Sequence, residues 1–139
     1  MRKHLLIPAI ALLLAPSLAW SIDIESIGGE YIGKVIDAKG VGPSKGDTCH
    51  VLINPEGQAN TVEFKLKGVP SAAYVERNEV ERGLKKSSPK VKLTTTSHKG
   101  NKVFVVLKFK GEHLRLVRVK VMGHAQVRWT IACDRLAKT

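Results

Sequence analysis

Between Lys90 and Asp134 apolar and polar residues alternate at a period of two, a pattern that commits this stretch to extended strands with one buried face. Val103, Val105, Leu107 and Phe109 alternate with Lys102, Phe104, Val106, Lys108 and Lys110. Leu114 and Leu116 precede Val117, Val119 and Val121, and the adjacent Leu116 and Val117 predict the one-residue slip of a β-bulge. Val127, Trp129, Ile131 and Cys133 continue the alternation, and upstream Val91 and Leu93 alternate with Lys90, Lys92 and Thr94. Four consecutive strands are predicted, and their polar positions are nearly all Lys or Arg.

Directly opposed residues must share a face, so loop lengths constrain the register. A two-residue Gly111-Glu112 turn, Gly first as a type II′ turn prefers, would pair Phe109 with Leu114 and Lys108 with Arg115. A three-residue Gly123-His124-Ala125 loop would pair Val121 with Val127, Val119 with Trp129 and Lys120 with Arg128. A Lys99-Gly100-Asn101 loop would pair Leu93 with Leu107, Lys92 with Lys108 and Lys90 with Lys110. The outward face then holds the candidate anion-binding residues Lys90, Lys92, Lys108, Lys110, Arg115, Arg118, Lys120 and Arg128, together with Lys102, with His98 and His113 at its ends. Phe104 and Val106 sit among them. Like charges directly opposite destabilise a sheet by roughly 0.2–1 kcal/mol per pair, so three or four such pairs would be a cost that an anionic partner offsets or long solvated side chains tolerate.

The charge is unevenly distributed along the chain. From Trp20 to Leu84 there are seven Lys or Arg against ten Asp or Glu, whereas from Lys85 to Arg128 there are twelve against Glu112 alone. Such a polarised domain can steer toward anionic surfaces or pair head to tail with its own copies.

The N-terminus reads as a secretory signal. Arg2, Lys3 and His4 form a basic segment, Leu5–Ala15 an apolar one, and Ser17 and Ala19 fit a cleavage after Ala19, with cleavage after Ser21 as the alternative. The apolar segment is about half the roughly 20 residues a spanning helix needs, so residues 20–139 are read as one exported domain, periplasmic or secreted, with no transmembrane segment. In an oxidising compartment the two cysteines, Cys49 and Cys133, each on the apolar phase of its strand, are expected to form a disulfide.

The first half reads as three strands and a helix. Glu30–Ala38 has mixed phase, Gly40–Asp47 is a loop whose Gly and Lys content lacks the spacing of a phosphate-binding loop, and Thr48–Asn54 with Thr61–Lys67 forms a hairpin. Ser71–Leu84 carries Ala73, Val80 and Leu84 at helical spacing, and Lys85–Pro89 links it to the basic strands. The expected fold is therefore mainly β, a β-sandwich or small barrel of about seven strands with one short helix and one disulfide. Trp129, inward in phase four residues before Cys133, is expected in the core near that bridge.

In overall plan the chain loosely resembles the cell-binding subunits of bacterial multi-subunit toxins, a likeness of architecture that no motif carries. Three Phe, two Trp and two Tyr supply few of the aromatic platforms that sugar recognition favours. No spacing of His, Ser or carboxylates resembles a catalytic or metal-binding motif, so no enzyme activity and no cofactor is expected. The expected function is non-catalytic binding of an anionic partner through the basic sheet face: lipopolysaccharide, an acidic polymer or an acidic protein, with nucleic acid less suited outside the cell. The alternative is a structural or assembly subunit of an envelope or secreted oligomer, whose basic face docks against the acidic half of another copy, giving a homo-oligomer, or against another envelope protein.

Overall fold

The computed structural model describes residues 22–69, 72–96 and 99–139, so the expected signal sequence, the expected helix start at Ser71 and His98 lie outside the described residues. The described residues form eight antiparallel strands: β1 (Gly29–Gly40), β2 (Thr48–Gly57), β3 (Thr61–Leu66), β4 (Ala73–Glu76), β5 (Lys90–Thr96), β6 (Lys102–Lys110), β7 (His113–Gly123) and β8 (Gln126–Lys138). One α-helix, α1 (Arg77–Leu84), stands between β4 and β5, and a short 3-10 turn, Ile24–Ile27, precedes β1.

The strands make a single sheet in the order β4-β3-β2-β1-β8-β7-β6-β5. Two four-stranded meanders are thus joined where β1 pairs with β8, and the sheet curls until β4 and β5 face each other. Helix α1 connects these two strands, packing on β3, β4 and β5 with Val80 and Leu84 buried. The result is a nearly closed barrel whose interior is filled by the alternate residues of each strand, including Tyr31, Phe64, Leu107 and Leu114. Of the two architectures expected, the barrel is the one adopted.

Cys49 and Cys133 are bonded, with Cα atoms 6.3 Å apart. They lie on β2 and β8, the two neighbours of β1, opposite Gly33 and Val35 respectively. The bridge therefore straddles β1. Gly33 is buried there, and a Cβ on it would stand 2.5 Å from the Asp134 carbonyl oxygen, so only glycine lets the strands approach this closely. The β1–β8 register shifts on both sides of this point, between Ile32 and Lys34 and between Val35 and Asp37, which accounts for the mixed phase of this segment.

Two local expectations are corrected, the start of the helix and the β7–β8 turn. The helix begins at Arg77 rather than Ser71, because Ala73–Glu76 pairs with β3 (Phe64 opposite Ala73, Val62 opposite Val75) and Tyr74 and Val75 suit a strand better than a helix. The strand count rises to eight for the same reason. The β7–β8 connection is a two-residue turn with His124 and Ala125 both at positive φ, as a type I′ turn requires, and a bulge at Arg128 restores the phase. Val127, expected inside, is consequently 53% exposed. Trp129 is half-buried at the core's edge, against Gly42 of the loop between β1 and β2.

That loop folds on itself. The Ser44 backbone N–H donates to the Asp47 carboxylate at 2.8 Å, so a side chain of the loop already occupies a donor that a phosphate would need.

Candidate anion-binding site

The parity of the basic face is as expected, but its registers are displaced by two residues along β5 and β8. Lys90 lies opposite Lys108, Lys92 opposite Val106 and Thr94 opposite Phe104. On β7, Val106 faces Arg118, Phe104 faces Lys120 and Lys120 faces Thr130. The bulge expected at Leu116 and Val117 falls one step earlier: Phe109 pairs with Leu114, Lys108 with Leu116, and Arg115 is the extra residue. Of the like-charge Lys/Arg pairs expected, none forms as drawn; Lys90 and Lys108 make the one direct pair among the described residues of these strands. The others are separated by apolar residues, which removes most of the electrostatic cost.

The cations then divide into separate settings. Lys90, Lys108, Lys110 and Arg115 gather at one end of the sheet, where β5 begins, β6 ends and β7 bulges, around a cavity of about 940 Å³. Lys85 and Lys86 complete it from the segment that follows α1. Ile22, Ser87, Ser88, Pro89, Phe109 and Gly111 supply the remaining wall, and among the described residues no carboxylate lines it. None of the six cations is in an ion pair among the described residues.

Local structure holds this wall in place. The Lys85 N–H donates to the Glu81 carbonyl at 3.1 Å, ending the helix, and the Phe109 N–H donates to the Pro89 carbonyl at 2.9 Å, tying the linker to β6. Gly83 lets the helix lie against the start of β5, since a Cβ there would be 2.3 Å from the Lys90 carbonyl oxygen. Gly83→Ala is therefore expected to destabilise by about 1–3 kcal/mol through overpacking, although alanine favours an isolated helix by about 1 kcal/mol. A urea midpoint that rises instead would contradict the close approach.

Arg118 and Lys120 occupy a second setting, beside a groove of about 500 Å³ on the outer face of β6, β7 and β8. Phe104, Val106 and Met122 form its apolar part, Thr130 and Ala132 line it from β8, and Asp37 lines it from β1. Lys92 lines a smaller cleft beside the helix with Glu79, Arg82 and Lys86. Arg128 is exposed at the opposite end of the sheet from the cationic cavity, its side chain lying over Gly123. The eight candidates thus share an outer surface without forming one site.

Lys85 and Lys86 of the cavity, and Met122, Thr130 and Ala132 of the separate groove, were not distinguishable by strand phase. The lysines sit in a linker, and a signal for them existed only in the requirement that the chain entering β5 pass the end of β6. Inside the barrel, the Tyr31 hydroxyl donates to the Ile27 carbonyl at 2.8 Å. Burial, and then Glu112, push its phenol above the ordinary value, so Tyr31 stays protonated at neutral pH.

Fold and site together define a barrel-like antiparallel β domain with a cationic cavity next to an apolar groove. In comparisons with known proteins, no family model, curated protein or solved structure matches this chain.

Proposed function

We propose that the chain is an exported, non-catalytic β domain, periplasmic or secreted, that binds an anionic partner of the cell envelope or surface through its basic outer face. The observation that carries this reading is the convergence of six cations on one cavity with no carboxylate in its lining among the described residues. Unpaired cations held together without counter-charges repel one another, and a ligand bearing several negative charges relieves that repulsion while gaining charge-assisted hydrogen bonds. The disulfide fits an oxidising compartment, and among the described residues no helix is long and apolar enough to cross a membrane. Lipopolysaccharide phosphates, acidic polymers and acidic protein segments all have the required charge.

Calorimetric titration with inorganic polyphosphate across a salt series tests the reading. Binding that weakens steadily as salt rises is expected, because screening acts on each cation in the site. No binding at low salt would overturn it. Light scattering over a concentration series serves the assembly alternative: oligomers that dissolve in salt, with no polyphosphate binding, would favour a basic face that docks on another copy.

A further inference from the structure

We infer that the ligand is a phosphate-bearing amphiphile, with its phosphate group in the cationic cavity and its alkyl or acyl chain along the neighbouring groove. This rests on reading the cavity as an anion site and adds what lies beside it. Lys108 lines the cavity, and Val106 and Phe104, the next two outward residues on β6, line the groove. From Lys108 to Phe104 is four residues, roughly 13 Å along a strand. Arg115 and Arg118 make the same transition on β7.

Val119 and Ile131 reach the groove from the core, but Phe104, Val106 and Met122 are outward residues on the solvent side of a barrel whose interior is already packed. Phe104 is 39% exposed there. Contiguous apolar surface rimmed by polar residues marks an interaction site. Its neighbours specify the chemistry. Arg118 and Lys120 stand opposite Val106 and Phe104, so their aliphatic stems extend the apolar surface while their charged ends border it. A purely polar polyanion would leave the groove wet, and an uncharged lipid would leave the cavity's cations unpaired. An anionic head joined to an apolar chain satisfies both, and Asp37, on the β1 side of the groove, disfavours the reverse orientation.

A chain-length series of monoalkyl phosphates, from ethyl to dodecyl and each below its micelle concentration, measures this against inorganic tripolyphosphate as a head-only probe. Affinity is expected to rise about two- to fourfold per added methylene over the middle of the series, in proportion to the apolar area buried. Phe104→Gln with Met122→Gln should flatten that rise while leaving tripolyphosphate affinity within twofold. Ala132→Gln, which fills the groove from β8 instead of stripping it, should do the same and guards against a folding defect in the first variant. Tripolyphosphate binding with no chain-length dependence in the wild type, or an equal slope in both variants, would overturn the amphiphile and leave the anion site standing. Loss of both probes would overturn the anion site and the amphiphile with it.

Discussion

Replacing Cys49 and Cys133 with alanine is expected to lower the unfolding free energy by about 4.5 kcal/mol, the chain-entropy value for a loop of 84 residues. On a domain of this size the melting temperature would fall by roughly 15–25 °C. The position of the bridge makes the effect large. The two meanders meet at β1 and β8, and the bond joins β2 to β8 across β1, so it pins the seam that closes the sheet on that side. Urea unfolding of the double variant beside the oxidised wild type measures the difference. A loss below about 1 kcal/mol would show that strand pairing alone holds the seam. The bond itself is checked by alkylating the folded wild type without reductant and measuring its intact mass, where no label should be found.

The disulfide was legible in the sequence because the export expected from the N-terminal residues, an even cysteine count and inward phase all pointed the same way. The outward parity of the basic strands was legible too, since a one-residue slip would have driven Lys108 or Arg118 into the core. A two-residue slip carries no such penalty. It leaves Lys92 outward whether it faces Lys108 or Val106, and the choice was made by the five-residue β5–β6 connection and the His124-Ala125 turn. Positive φ at both central positions is usual for Asn-Gly or Asp-Gly and uncommon for Ala, so His124-Ala125 gave no turn signal in the sequence. The fourth strand was hidden by a competing period: Ala73 fits a helical spacing to Val80 and Leu84, yet it is buried through pairing with Phe64. The site was legible as a face and not as a cavity, because the cavity depends on where the Lys85–Pro89 linker runs relative to the end of β6.

Neutralising three cations of the cavity, Lys90→Gln, Lys108→Gln and Arg115→Gln, is expected to weaken polyphosphate binding by about 10- to 100-fold at low salt. Each lost cation–phosphate attraction is worth about 0.5–1 kcal/mol. Stability should stay level or rise slightly, since the direct Lys90–Lys108 repulsion is relieved. The salt dependence of the remaining binding should also be shallower, because fewer screened attractions contribute. A variant that unfolds would mean that these side chains support the fold, which their outward phase denies.

Net charge alone could weaken polyanion binding, so the deciding measurement sets this variant against one that removes the same charge elsewhere. Lys45→Gln, Lys65→Gln and Lys67→Gln alter three exposed lysines that do not line the cavity. Polyphosphate affinity of both triple variants is measured by calorimetry at one fixed, low ionic strength. A loss of tenfold or more for the cavity variant, with the control within about twofold of wild type, is the result predicted. Equal losses in the two would contradict a localised site and reduce the basic face to a diffuse field.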